Sequence, residues 1–273
     1  MHFLRPSLIQ TDIEETSKSS MYASIPSTYL GYPLVVKQED ELLQTLANHI
    51  QASVWQTTQS KQDFHLAVSG GKTPGKLFTI LSKAQLPWQH IHLWVVDERC
   101  VSLKNKNSNF NLLHAELIRH VDIPYLNIHP MPVDNLGQLC SEEYKGDNSY
   151  QDSLNHYTKF KMNYILLGIG NDGHTASLMP FSESLKEKSK YVTLTQEKSL
   201  DFKRMTFTYK LINEANHISV LATGAHKNKI LSDLIQERNP LKYPILGVKP
   251  NKGNMTFYFD TLAWLPKIDS IDI

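Results

Sequence analysis

Only two cysteines occur in the 273 residues, Cys100 and Cys140, and they form neither a CxxC pair nor a zinc-ligand spacing. They set no disulfide framework, so the chain reads as one from a reducing, cytoplasmic setting in which both are packing residues. Long apolar runs are missing too. No stretch approaches the roughly 20 residues that span a bilayer, and the opening MHFLRPSLIQTDIEE turns acidic before an export-signal core can form. Charge of neither sign dominates: 28 Lys plus Arg against 27 Asp plus Glu leave a formal +1, which removes a general attraction to nucleic acid or acidic membrane. Internal repeats and low-complexity tracts are absent as well.

What is present is a repeated alternation of strand and helix signals. EDELLQTLANHIQASVWQ places Leu42, Leu43, Leu46, Ala47, Ile50 and Val54 at helical spacing behind an acidic start. FHLAVSGG is a short apolar run ending in two glycines, and KTPGKLFTILSK beyond it predicts a helix with Thr73 as cap and Pro74 at its first position. IHLWVVDER reads as a strand ending in charges, and SNFNLLHAELIRHV as a helix capped by Ser108. NYILLGIGNDGH runs from strand into loop, and HISVLATGAHKNKILSDLIQE is strand, loop and helix. RMTFTYKLI alternates like a strand with one exposed face, and MTFYFDTLAW reads as a last strand. Polar stretches near 141–153 and 182–203 read as surface loops. This pattern predicts an α/β fold: an open, mostly parallel, Rossmann-like sheet with helices on both faces. Residues 1–30 are set apart as an N-terminal extension, leaving 31–273 as a single domain.

In such sheets ligands bind beyond the carboxyl ends of the strands. Four loops follow apolar strands directly: Ser69-Gly70-Gly71, Asp97-Glu98-Arg99, Gly170 to His174, and Gly224 to Lys227. Parallel strands would open all four on one edge. GIGNDG at 168–173 spells GxGxxG, but His174 follows where a helix should pack, and no acidic strand end comes about 20 residues later. A plain glycine turn, or a loop kept small so that substrate approaches Asp172 and His174, are the other readings. Histidine exchanges protons near neutral pH, and a neighbouring aspartate can fix its tautomer. Thr175, Ala176 and Ser177 suit the first turn of a helix, whose unpaired N–H groups attract anions. VSGGKTPGKLF fits either an ordinary strand-to-helix turn or a phosphate cradle, though not a Walker loop. Arg99, Arg204 and Lys227 are candidate grips on one oxyanion, or else surface charges. HExxH and GxSxG do not occur, and His90 and His92 are expected on opposite faces of one strand or loop, so no metal and no serine nucleophile is assigned.

Taken in order, SGGKTP, DER followed by Val101, SNF, LGIGNDGHTASLMP, RMTFTYKLIN and VLATGAHK resemble the 6-phosphogluconolactonase family, within the glucosamine/galactosamine-6-phosphate isomerase superfamily. The resemblance runs from about residue 30 to the end. It implies the α/β fold of glucosamine-6-phosphate deaminase and ribose-5-phosphate isomerase. The implied activity is hydrolysis of 6-phospho-D-glucono-1,5-lactone to 6-phosphogluconate in the oxidative pentose phosphate pathway, without a metal or organic cofactor. For this reaction His174 is expected to act as general base, with Asp172 orienting the imidazole or contacting the sugar. Ser69, Gly70, Gly71, Asp97, Arg99, Asn109, Arg204 and Lys227 are the implied substrate contacts, and the implied partner is a small sugar-phosphate lactone rather than nucleic acid or membrane. One departure is Lys72, where the family loop reads SGGSTP. Deaminases of the superfamily continue their DGH loop to an acidic residue before the proline, roughly GHIAFNEP; GHTASLMP here lacks it, which favours the lactonase. The rivals are a sugar-phosphate isomerase or deaminase, and a sugar-phosphate sensor of a transcription regulator. The sensor would need no His174, and the first 40 residues show neither paired amphipathic helices nor a basic patch.

Overall fold

The computed structural model describes residues 25–133, 140, 145–195 and 200–264. Of the extension expected over 1–30, residues 1–24 lie outside this range, while β1 (Thr28–Tyr29) and β2 (Tyr32–Lys37) form an edge hairpin of the main sheet. The chain continues through α1 (Glu39–Thr58), β3 (Phe64–Val68), α2 (Lys72–Leu81), β4 (Ile91–Val95), β5 (Asp97–Arg99), α3 (Asn109–Glu116), β6 (Ile128–His129) and α4 (Gly146–Thr158). Then follow β7 (Tyr164–Gly168), β8 (Val192–Thr195), β9 (Arg204–Phe207), α5 (Tyr209–Ile212), β10 (His217–Ala222), α6 (Asn228–Gln236), β11 (Asn254–Asp260) and α7 (Thr261–Trp264).

The main sheet has eight strands in the order β1-β2-β11-β10-β7-β3-β4-β6, and every pairing except β1 with β2 is parallel. Its inner strands β3, β4, β7, β10 and β11 are buried along most of their length because helices cover both faces, and the pleat shows which helix takes which face. Tyr164, His217 and Tyr258 point to one side, where His49 of α1 packs among their rings. Trp94 and His129 point to the other, stacked at 3.8 Å and met by Tyr150 and Tyr157 of α4. The six apolar positions that announced α1 are all buried. The α/β expectation, open and mostly parallel with helices on both faces, therefore holds.

The strand order also locates the crevice. From β3 the chain moves outward to β4 and β6, then returns to place β7 on the other side of β3 and continues through β10 and β11. The direction of winding reverses between β3 and β7. There the loops leaving two adjacent strands part, and a cleft opens between them.

Several local expectations are corrected. IHLWVVDER is two strands: β4 ends at Val95, and Asp97–Arg99 turns away to pair antiparallel with β9, which pairs in turn with β8, making a separate three-stranded sheet. As the middle strand of that sheet, β9 buries both sides of Met205–Phe207 instead of exposing one face, and a helical turn, α5, follows it. The last strand likewise ends at Asp260 and gives way to α7. The polar stretch at 141–153 is largely helix, because Tyr150, Leu154 and Thr158 repeat every four residues and bury one stripe of α4. The stretch 182–203 contains a helical turn at Glu183–Lys186 and β8. Helix α2 begins at Lys72 with Gly71 in the cap position, so Pro74 sits inside the first turn; the Thr73 hydroxyl meets that of Thr223 at 2.7 Å instead of capping. Ser108 does cap α3, accepting from the Asn111 N–H at 3.1 Å.

The largest correction concerns the cysteines. Cys100 and Cys140 form a disulfide across 40 residues of sequence. Sequence spacing does not reveal it, because the pairing is made by the fold bringing the end of β5 and the segment before α4 together. A bond closing a loop of this length stabilises by about 2–4 kcal/mol, chiefly through the unfolded chain. Thermal unfolding with and without a dithiol reductant should therefore differ by several degrees, with no free thiol titrating in the untreated native protein. Equal midpoints, together with two titratable thiols before reduction, would contradict the bond.

Candidate active site

The four strand-end loops converge. A cleft of about 610 Å³ is lined by Ser69, Gly70, Asp97, Arg99, Asn109, Asp172, His174, Arg204 and Lys227, together with Gly168 to Asn171, Thr175, Ala176 and His226. Of the residues proposed from sequence, only Gly71 is not among its walls; it holds the cap position of α2 behind the loop. Lys72 is exposed and also stays out of the cleft.

On one side lies the loop after β7. The Asp172 carboxylate accepts from His174 Nδ1 at 2.5 Å and from the His174 backbone N–H at 3.1 Å. The loop is closed by Gly170 N–H to His174 O at 2.8 Å, and Thr175 Oγ1 donates to Gly168 O at 2.9 Å. Gly170 is required for a steric reason: a Cβ there would stand 2.1 Å from His174 Nδ1 and 2.7 Å from Asp172 Oδ1. The GxGxxG pattern thus reflects room for the His–Asp pair rather than a nucleotide fingerprint. With Nδ1 bonded to the carboxylate, the proton belongs on Nδ1 and Nε2 is left as the accepting atom. Burial would raise the Asp172 pKa, but the hydrogen bond, charge and backbone N–H of His174 outweigh it and bring it down to about 2. No helix starts at Thr175; that residue bridges back to Leu178 in a tight turn with Ala176 at φ 51°, so the helix N-terminus expected there is not formed.

The same cleft is lined by two arginines. Arg99 and Arg204 are direct partners in the register of β5 and β9, which sets two cations side by side. Arg99 donates to Asn107 O at 2.7 Å, yet Nε of both arginines is buried with no hydrogen-bond partner. Neither guanidinium has an ion pair among the described residues. Burial, followed by the charge of Arg99, holds the Arg204 pKa below its usual value. Like charges left unpaired and partly out of water are unfavourable unless an anion joins them. Ser69 Oγ is likewise buried in the cleft wall without a partner. Lys227 reaches in from the loop after β10 and donates to Ile169 O at 2.6 Å and Asn171 Oδ1 at 2.8 Å, leaving one N–H. Its pKa is lowered by burial, against the pull of Asp172.

Asp97 accepts Ser177 Oγ at 2.6 Å on Oδ2, and its backbone carbonyl accepts Asn109 Nδ2 at 2.7 Å. His226 was not singled out from sequence; in GAHK nothing distinguishes one exposed loop histidine from the chain's 12. Elsewhere, His90 and His92 do not diverge as expected. His90 lies in a helical turn before β4, so strand alternation does not apply, and both rings approach Asp63, at 3.2 and 3.7 Å. Among the described residues no group of three His, Cys, Asp or Glu is arranged to hold a metal ion.

Comparison with known proteins matches residues 37–257 to the family described as glucosamine-6-phosphate isomerases/6-phosphogluconolactonase. The chain belongs to this family. Among curated relatives it is 40% identical over 254 residues to the rabbit (Oryctolagus cuniculus) "GDH/6PGL endoplasmic bifunctional protein", covering 92% of this chain but only 32% of that one. It therefore spans about a third of the length of that relative. It is 35% identical over 202 residues to a 6-phosphogluconolactonase of Synechocystis sp., covering 72% of this chain and 82% of the relative. A solved 6-phosphogluconolactonase from Trypanosoma cruzi superposes with a TM-score of 0.76 at 24% identity, over 88% of this chain and 98% of that one, which establishes the shared family fold. No helix among the described residues is long and apolar enough to cross a membrane.

Proposed function

We propose that this chain hydrolyses 6-phospho-D-glucono-1,5-lactone to 6-phospho-D-gluconate, the second step of the oxidative pentose phosphate pathway. The observation that carries this reading is one cleft lined both by an oriented imidazole and by two arginines without ion pairs. A lactone carbonyl is already electrophilic, so the chemistry asks for positioning, an activated water and support for the tetrahedral oxyanion. His174 Nε2 takes a proton from water as it attacks the carbonyl carbon, and Asp172 supports the imidazolium so formed. The same nitrogen returns the proton to the ring oxygen as the C–O bond breaks. The 6-phosphate is assigned to Arg99 and Arg204, with the third N–H of Lys227 and the Gly70 backbone nearby, because a dianion answers two half-buried cations. Ser69 Oγ, Asn109 and Asp97 border the space between the two ends.

The test is lactone opening measured against a no-enzyme control, since the substrate also opens unaided. A rate equal to the control would reject the proposal. Ammonia release from glucosamine 6-phosphate in the same preparation would favour the deaminase, and binding of sugar phosphate without turnover would favour the sensor.

On location, the cytoplasmic reading rested on cysteines without a disulfide framework, on apolar runs too short to span a bilayer and on an acidic opening. The disulfide, and the word endoplasmic in the name of the rabbit relative, favour an oxidising lumen for this chain instead.

A further inference from the structure

Glu98 is fully buried and does not line the cleft, although its neighbours Asp97 and Arg99 both do. Its carboxylate is saturated with donors: Oε1 accepts the N–H groups of Arg99 at 2.7 Å and Asn109 at 2.9 Å. Oε2 accepts Ser108 Oγ at 2.8 Å and the Phe110 N–H at 2.9 Å. No basic side chain forms an ion pair with it among the described residues. A buried anion is expensive, and packing β5 against α3 does not demand one. What a carboxylate alone supplies is two oxygens that each accept two donors from different segments at once.

The donors it gathers lead straight to the cleft. Arg99 is held at its backbone here, and its guanidinium then reaches Asn107 O at 2.7 Å. Asn109 is held at its backbone, and its side chain donates to Asp97 O at 2.7 Å. The Asn109 amide also packs on the glycine loop so closely that a Cβ on Gly70 would stand 2.0 Å from its Oδ1. The loop after β3, the residues of β5 and the first turn of α3 thus share one register point.

We propose that Glu98 is a positioning residue for substrate binding, setting the Arg99 guanidinium and the Asn109 amide in the cleft by tying the end of β5 to the start of α3. The inference rests on the lactonase reading for its substrate. It divides the three acidic residues near the cleft: Asp172 orients the imidazole, Asp97 borders the bound molecule, and Glu98 acts through Arg99 and Asn109.

Glu98→Gln keeps the size but turns an NH₂ toward one of the two donor pairs, donor against donor. KM for the phosphorylated lactone should rise about ten-fold or more, with kcat, and KM for unphosphorylated gluconolactone, held within about three-fold. A merely structural role would lower the active fraction instead, reducing kcat with both KM values unmoved; that result, or wild-type kinetics, overturns the proposal. If Glu98→Gln does not fold, Ser108→Ala removes one donor from Glu98 together with the cap on the Asn111 N–H and should raise KM about three-fold, and an unchanged KM there also overturns it. If the wild type proves not to open the lactone at all, the functional reading fails separately. Titration with inorganic phosphate then decides: about ten-fold weaker binding by Glu98→Gln supports positioning, and equal binding refutes it.

Discussion

His174→Ala should lower kcat for the phosphorylated lactone by about 10²- to 10⁴-fold, the span that a positioned general base contributes, with KM and the unfolding midpoint nearly unchanged. The ring is partly exposed, and its contacts are to Asp172 and to the loop's own backbone, so its loss leaves no cavity in the core. Asp172 titrates at about 2. It is therefore ionised from pH 5 upward, and any support it gives the imidazole is present across that range and lost only as pH falls toward 2. An acid limb in the wild-type kcat profile between pH 5 and 8 then does not come from Asp172. Wild-type turnover by His174→Ala would show that a different base activates the water; His226, on the same cleft, would be the next to replace.

How far the chain revealed this site differs between its parts. The four loops were legible because apolar strands end abruptly in Gly, Asp or Arg, and a parallel sheet must present such ends together. The His174–Asp172 pairing was legible because it is local, two residues apart on a glycine-lined turn. The second sheet was not. Asp97–Arg99 follows β4 after a single residue, and only the distant β9, more than 100 positions later, draws it away from the main sheet. For the same reason the side-by-side setting of Arg99 and Arg204, and the closure of Cys100 onto Cys140, lay beyond any periodicity. Helix α4 was hidden by its polar outer face, and the turn at Thr175 by composition that suits a helix start equally well. The burial of Glu98 was hidden too, since a charge beside two other charges reads as a solvated cluster.

Arg204→Gln should raise KM for 6-phosphogluconolactone by roughly 30- to 1000-fold, corresponding to about 2–4 kcal/mol for a half-buried cation lost from a dianion. KM for unphosphorylated gluconolactone should stay within about three-fold, because the ring and carbonyl do not need this charge. The stability of the unliganded protein supplies a second, opposite signal. Arg204 is half-buried beside Arg99 with its Nε unpaired, so burial and the charge of Arg99 weigh against its guanidinium, and the carboxylates of Asp97, Asp201 and Glu98 offset this only in part until an anion arrives. Replacing it with a neutral amide removes that tension, and the unfolding midpoint should hold or rise while substrate affinity collapses. A residue that merely supported β9 would behave the other way, losing stability first and both substrates equally. Equal loss of the two lactones with a lowered midpoint would therefore remove Arg204 from the phosphate site. An Arg99→Gln/Arg204→Gln double variant should fall short of the sum of the singles, because each arginine raises the cost of the other.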